Sequence, residues 1–477
     1  MKKPVVLLVK SRSRVSKLPN AVPPLGILYL ASCLRARLGA DVRLIDVFFE
    51  PDTDGAVRRA VRELKPDVVG FSALTAESSL AHGMAAAVKG ENPLTPVVMG
   101  GPHPSSDPEA VLKDLNVDAA VIGEGEDTFT ELVRVIAEEG PRWRLPEILR
   151  KLNGLAFNGE AGFELTAPRA PIKDPDSLPF PAWDLMDYRR FWQIPGMSTM
   201  GKRPYLPMLT SRGCPYHCVF CHRVFGKSFR PRSPENVAEE AALLRRLGAG
   251  HVEFYDDIAN LDADRFDRML ELMTGRGLNL ALSFPNGLRA DLLRESSVDL
   301  LKRAGAREVS VAVETASERL QKLINKNLSL EKTSRAIDWL ASRRIFTRGF
   351  FMLGLPTETA AEMRETIRFA HSSRLHMAFF FTPNPYRNTE LYDMFVKAGK
   401  LPPDTRAADF EYHASPFNAS QMTDLQYRLL YKWAFLGFFL NPLRMYRAAR
   451  DGVFGWNAPL RAWQLLRNSI SFRRLRE

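Results

Sequence analysis

From residue 4 to about 140, short apolar runs that read as buried strands alternate with stretches whose apolar residues return at helical spacing. The runs are PVVLLVK, DVRLIDVF, DVVGFSAL, TPVVMGG and VDAAVIGEG; the helical stretches are PLGILYLASCLRARLG, DGAVRRAVRELKP, SSLAHGMAAAVKG, PEAVLKDLN and EDTFTELVRVIAEEG. Parallel strands need helical crossovers and become apolar on both faces, so this alternation predicts a doubly wound, Rossmann-like parallel sheet. Ligands of such sheets bind outside the carboxyl ends of the strands. Small and polar residues gather there: Gly70, Ser72 and Thr75 after the third run, Gly100, Gly101 and His103 after the fourth, and Gly123, Glu124, Gly125 and Glu126 after the fifth. No G-x-G-x-x-G follows the first strand, which argues against a dinucleotide.

Between 141 and 200 the rhythm breaks. Prolines punctuate polar and aromatic text from Pro141 to Pro195, and N-G-L-A-F with F-E-L reads as a small hairpin, so this stretch is expected to link two domains. The alternation then resumes over 201–395 with YLPMLTS, HVEFYDD, LNLALSFPNG, EVSVAVE, FTRGFFMLG and MAFFFTPNP, separated by amphipathic helical text. Repeated βα units of this kind predict an open, partial (β/α)6 barrel, whose site would lie at the carboxyl ends of its strands. Residues 396–477 read as a helical, basic C-terminal region.

The chemistry concentrates after the first barrel strand, in S-R-G-C-P-Y-H-C-V-F-C-H-R-V-F (Ser211 to Phe225). Cys214, Cys218 and Cys221 stand in C-x3-C-x2-C spacing and are three of the chain's four cysteines; Gly213 and Pro215 keep them out of helix and strand. A structural zinc site needs four ligands, for which only His217 or His222 is at hand. Iron–sulfur clusters normally take four thiolates, so three leave one iron free to coordinate a small molecule. Three unligated structural cysteines would not explain the clustering. Cys33, on the apolar side of the first helical stretch, is expected in the core.

The cysteine spacing, with Phe220 before the last cysteine, resembles the radical S-adenosylmethionine (SAM) superfamily. The N-terminal segment resembles the cobalamin-binding domain that precedes many of its members, in P-P-L-G-I-L-Y-L-A, L-I-D, V-V-G-F-S, V-M-G-G-P-H-P and I-G-E-G-E; D-S-L-P-F-P-A-W-D-L-M resembles their bridge. The resemblance implies a 4Fe-4S cluster on Cys214, Cys218 and Cys221, SAM chelated at the open iron, and cobalamin. It implies SAM contacts by Phe220, Asp256, Asn286, Arg289, Glu314 and Gly354, with Arg289 equally able to brace the barrel rim. Cobalamin would lie against Ser72, Leu74, Thr75, Gly100, Gly101, His103, Gly123, Glu124, Gly125 and Glu126. D-x-H-x-x-G, the motif that ligates cobalt from below, is absent; the loop 74–76 is expected to cover that face, and His103 to hydrogen-bond the corrin or the backbone rather than to bind the metal. The sixth barrel strand departs from the family's P-x-P-G-T in reading P-N-P-Y-R-N-T.

The implied reaction is reductive cleavage of SAM to a 5′-deoxyadenosyl radical, hydrogen abstraction from an unactivated carbon, and methylation of that carbon from methylcobalamin, on a natural-product, lipid or peptide intermediate. A non-methylating ring formation, ring contraction or oxidation stands as the alternative, and a cobalamin- or redox-sensing binding protein as the non-enzymatic one. A transfer-RNA methylthiotransferase is disfavoured because its second cysteine triad is missing. An electron donor such as flavodoxin or ferredoxin is implied.

Composition adds bounds. Hydrophobic residues at 45% and charged ones at 25% suit a globular protein, and so few cysteines suit a reducing cytoplasm. The short apolar run after Lys2-Lys3 reads as a strand, not a signal peptide, and no run approaches the roughly 18–20 residues of a membrane span. Net charge is +11, with the excess toward the C-terminus, where Q-Y-R-L-L-Y-K-W-A-F-L-G-F-F-L-N-P-L-R-M-Y-R-A-A-R interleaves aromatic and basic residues. Packing of these helices on the barrel is the preferred reading; no nucleic-acid partner is expected, and weak peripheral membrane contact is left open.

Overall fold

A computed structural model of the chain describes residues 3–12, 22–199, 203–221, 225–401 and 418–451. The chain divides into two compact units, the first reaching Arg190 and the second beginning at Phe191.

In the first unit Val6 and Leu8 point to one side of a sheet and Leu7 and Val9 to the other, each pair entering a separate apolar core. One core is closed by Ile27, Ala31 and Leu34 of the helix Leu25–Leu38 with Phe129, Leu132 and Val133 of the helix Gly125–Glu139. The other is closed by Val57 and Val61 of Thr53–Leu64 with Leu80, Ala81 and Met84 of Ser78–Glu91. This two-sided burial is why the strands read as unbroken apolar runs. The strands are β1 (Val5–Lys10), β2 (Asp41–Asp46), β3 (Val68–Ser72), β4 (Val97–Gly100), β5 (Ala119–Val121), β6 (Leu155–Gly159) and β7 (Gly162–Leu165), in the order β2-β1-β3-β4-β5-β6-β7. The first five are parallel, as expected, and the order reverses between β1 and β3, which makes their carboxyl ends the switch point where such sheets bind ligands. The hairpin expected in the linker forms, but it joins this sheet: β6 pairs antiparallel with β5, so these residues extend the first unit. Cys33 is fully buried in the core.

The second unit carries a parallel six-stranded sheet, β15-β14-β13-β12-β11-β8, from β8 (Tyr205–Met208), β11 (His251–Phe254), β12 (Ala281–Leu288), β13 (Ala306–Glu314), β14 (Phe346–Met352) and β15 (Met377–Phe381). All six match the runs read from the sequence. Two short strands, β9 (Ser211–Arg212) and β10 (Arg230–Pro231), pair antiparallel and close the two ends of the cysteine loop on each other. Crossover helices start on side-chain caps, Ser233, Asp262, Ser329 and Thr359 each accepting a backbone N–H of the first turn.

Inside this sheet's concave face lies a buried polar layer. Glu253 of β11 accepts the N–H groups of Met197 (3.0 Å) and Ser198 (3.2 Å) and the Tyr255 hydroxyl, and Glu308 of β13 accepts the Thr199 N–H at 2.8 Å. Arg348 of β14 pairs with Glu308 and donates to the carbonyls of Met197 and Pro285 and to Ser310 Oγ. The segment 197–199, read as the end of the linker, is therefore tied into the barrel unit.

Candidate functional site

The cysteine loop begins at Gly213, whose φ of +79° turns the chain out of β9 and whose N–H donates to Asp257. Val219 anchors its middle in an apolar cluster with Leu320, Ile324, Leu355 and Leu391, and Phe220 packs on the edge of that cluster. Backbone bonds from Val219 N–H to Ile324 (3.1 Å) and from Leu391 N–H to Val219 (3.0 Å) hold it on two sides. Asn325 Nδ2 donates to the His217 carbonyl at 3.1 Å, and the Arg289 guanidinium lies over the Tyr216 ring, 3.7 Å from its centre. Of the three cysteines, Cys218 is buried and Cys214 partly so. Burial pushes the thiols of Cys214 and Cys218 up, while the positive charges of Lys326 and Arg289 favour their thiolates. His217 is exposed, and His222 lies outside the described residues.

Glu314 closes β13 in a backbone conformation, φ +65°, that side chains other than glycine seldom adopt, beside a slip in the β13–β14 register. Gln321 Nε2 supports this turn by donating to the carbonyls of Val313 (2.9 Å) and Thr315 (2.6 Å). Burial pushes the Glu314 carboxyl up, and Lys326, whose Nζ is 3.3 Å away, draws it back. Lys326 thus faces both the carboxylate and the cysteines.

The other residues expected to contact SAM have these partners within the fold. Asp256 commits Oδ1 to Thr210 N–H (2.9 Å), Thr210 Oγ1 (2.8 Å) and Ser211 Oγ (2.6 Å), which fastens the start of the cysteine loop. Arg289 takes the bracing role: it pairs with Asp291 at 3.0 Å, donates to the carbonyls of Lys326 and Asn327 and has its backbone held on both sides by Asn260. Asn286 is exposed and donates to the Tyr255 carbonyl at 2.9 Å. Gly354, at φ +94°, is where a Cβ would stand 2.8 Å from the Tyr427 ring, so the close approach there is to the C-terminal helix. Its N–H is taken by Glu358, which also accepts from Leu355.

Sequence reading missed Lys326, Gln321, Asn325 and Glu358, and it missed an aromatic wall. Phe350 of β14 and Phe379 and Phe381 of β15 share the concave face with Arg348, with ring centres 5.7–6.0 Å apart, and each is partly exposed. Their outward neighbours Phe351 and Phe380 are buried against helices. The signal was present in β15, MAFFF, apolar at every position, and in the Phe350-Phe351 pair of β14, where β11 and β13 alternate with charge.

In the first unit, Leu74 stands 48% exposed just beyond β3. Its loop is braced: Glu77 Oε2 accepts the Leu74 N–H at 2.9 Å and pairs with Lys10 at the end of β1. Thr75 lies in the same loop, and Ser72 ends the strand beneath it. Gly101, at φ +99°, fits against the Ala73 carbonyl where a Cβ would crowd, and Ser105 joins the loops after β4 and β5 by donating to Gly101 and accepting the Gly123 N–H at 2.9 Å. Glu124 accepts from Ile172, and Gly125 and Glu126 open the helix Gly125–Glu139. His103 is buried, its ring edge-on to His82 and its Nδ1 without a hydrogen bond among the described residues; burial and His82 push its pKa down to about 4, so the imidazole is neutral. An exposed leucine on a braced loop at the switch point fits the flat apolar face of a corrin, and three thiols with one flanking lysine fit a cluster with an open iron.

The B12 binding domain family matches residues 12–133, and the Radical SAM superfamily matches residues 208–370. An uncharacterized methyltransferase of Pyrococcus horikoshii is 30% identical over 424 residues, 88% of this chain and 88% of that protein. The chain belongs to the B12-binding radical SAM family. Its cofactors are accordingly the 4Fe-4S cluster, SAM and cobalamin. A second relative in this family, the anaerobic magnesium-protoporphyrin IX monomethyl ester cyclase of Rubrivivax gelatinosus, is 30% identical over 79% of this chain and 66% of its own. The radical SAM methyltransferase TsrM of Kitasatospora setae, solved with cobalamin and a [4Fe-4S] cluster, has the same fold, with a TM-score of 0.72 at 19% identity over 98% of this chain and 99% of that one. No described helix is long and apolar enough to cross a membrane.

Proposed function

We propose that this B12-binding radical SAM enzyme methylates an unactivated carbon of an apolar small molecule. The cluster with SAM supplies a reductively generated carbon radical when bound, and cobalamin a transferable methyl group. The chain's own residues define where that chemistry happens. Cys214, Cys218 and Cys221 hold the cluster, and Asp256, Arg289 and Asn325 hold their loop against the barrel rim. Glu314 is suited to the SAM α-amino group, with Lys326 balancing its charge and Gln321 keeping its strained turn. Leu74 and the loop after it would cover one corrin face. An electron donor of the flavodoxin or ferredoxin class supplies the reducing equivalents.

The observation that carries the substrate class is the wall of Phe350, Phe379 and Phe381 on the concave face. Partly exposed aromatic rings inside a barrel bind apolar carbon skeletons and exclude water from a radical site. A non-methylating ring-forming reaction is the second reading, favoured by the cyclase relative.

The test is an anaerobic incubation of reconstituted enzyme with cobalamin, reductant and SAM carrying a trideuterated methyl group, supplied with apolar extracts. Trideuteromethyl in an extract component with S-adenosylhomocysteine co-formed supports methylation. Consumption of an extract component with 5′-deoxyadenosine but no label supports the second reading.

A further inference from the structure

The C-terminal helix Asp424–Phe439 is apolar on two opposite faces. One face is spent on the barrel: Tyr427, Tyr431, Ala434, Phe435 and Phe438 are buried, with the Tyr427 hydroxyl on the Leu353 carbonyl at 3.1 Å and the Tyr431 hydroxyl on that of Phe380 at 2.7 Å. The other face carries Leu425, Leu429, Trp433, Leu436 and Leu440, exposed by 67%, 57%, 39%, 39% and 63%. At about 100° per residue these five fall within an arc of roughly 80°, directly opposite the buried face. The stripe continues onto the helix Pro442–Asp451 with Leu443 at 73% and Tyr446 at 63%. Of the sixteen large hydrophobic side chains exposed among the described residues, eight lie in Leu425–Tyr446, so this is a patch and not the usual scatter.

One of its borders is cationic. Arg428 and Lys432 lie along one side of the stripe on the same helix, both exposed and in no ion pair among the described residues. From Asp424 to Glu477 the chain carries ten Lys and Arg against three Asp and Glu, most of the net charge of +11. An apolar stripe about 22 Å long, edged by positive charge and bearing a tryptophan, is the form of a helix that lies in a membrane surface with its apolar side among acyl chains and its cations at headgroup level. We infer that this face docks on a lipid bilayer whose surface carries anionic headgroups. Helix packing on the barrel accounts for only one of the two faces.

The test is flotation of the full-length, cluster-loaded protein with vesicles of phosphatidylcholine alone and of phosphatidylcholine with phosphatidylglycerol. The wild type is expected to float with the anionic vesicles, about tenfold less with neutral ones or in high salt. Two variants separate the contributions: L429Q/L436Q/L440Q is expected to lose binding about tenfold or more, and R428E/K432E to lose only the anionic preference. All five positions are exposed, so unchanged SAM cleavage reports intact folding. The inference is overturned if wild type stays with neither vesicle, or if the triple variant floats as well as wild type. It is equally overturned if the stripe holds a second copy of the chain, seen as a dimer in sedimentation that the triple variant dissociates, or if R428E/K432E abolishes binding to an oligonucleotide while vesicles are not bound.

Discussion

The guanidinium of Arg289 lies flat over the ring of Tyr216, 3.7 Å from its centre, with its edge tied to Asp291 and to the carbonyls of Lys326 and Asn327. One side chain from the end of β12 thus joins the cysteine loop to the segment that carries Lys326. A cation over an aromatic face contributes about 1–2 kcal/mol when desolvated, and planar bidentate donation is not reproduced by lysine. Both Arg289→Ala and Arg289→Lys are expected to keep the fold and to lose iron to a chelator several-fold faster, read from the cluster's visible absorbance. Equal rates in wild type and variants would remove Arg289 from the loop's support.

Glu314→Gln keeps the side chain's shape and removes its charge. If Glu314 holds the SAM amino group, the variant should bind SAM about tenfold more weakly, roughly the 1.4 kcal/mol of one charge-assisted hydrogen bond, with iron and sulfide content unchanged. Equilibrium binding of SAM to cluster-loaded protein measures it. An unchanged affinity assigns Glu314 to the turn alone.

Glu358 gives a pH dependence. Burial, against the opposing Gly354 and Leu355 N–H donors, pushes its carboxyl from the ordinary 4.5 up to about 8. The folded state therefore binds the proton more tightly than the unfolded chain, and the stability linked to that proton is full below about 4.5 and falls as pH rises to about 8. Glu358→Gln does not titrate, so its thermal midpoint should gain on wild type steadily between those two values. A constant difference across that range would contradict the shift.

Arg444, only 2% exposed, donates to the carbonyls of Leu375, Ala370, His371, Ser373 and Phe438 and lies 3.6 Å from the centre of the Phe438 ring. It ends one barrel helix and ties down the helix that follows the apolar stripe. Hydrogen bonds to a charged donor are worth about 1.5–3 kcal/mol, and removing the donor leaves buried carbonyls unpaired. Arg444→Ala is expected to lower stability by about 3 kcal/mol or more, and Arg444→Lys to recover a minority of it. A loss below about 1 kcal/mol in a denaturant titration would contradict this role.

The strands were legible because burial on both faces writes continuous apolar text, and the cluster loop because three cysteines in one turn have few other uses. What stayed hidden depends on contacts across the fold. Arg289 reads equally as a ligand contact or a brace, and its bonds to the carbonyls of Lys326 and Asn327 come into view only in the fold. Gln321 lies inside a short helix, Glu318–Leu323, and Lys326 just beyond it, and both gain meaning only where they meet the turn at Glu314. The two-residue strands β9 and β10 are too short for any periodicity, and the hairpin of β6 and β7 carries nothing local to say which sheet it joins. The C-terminal helix carries apolar residues on two opposite faces in the sequence, and only burial separates the face that packs from the face that does not.

One chain joins a radical-generating cluster to a corrin. The measurement that tests it most directly is anaerobic: reconstitute the cluster, add cobalamin, remove the unbound corrin, then supply SAM and reductant and quantify 5′-deoxyadenosine beside the Cys214→Ala, Cys218→Ala and Cys221→Ala triple variant. Retained corrin is expected in both proteins, and 5′-deoxyadenosine from the wild type alone. Loss of the corrin on washing, or no SAM cleavage by wild type with its cluster intact, would contradict it.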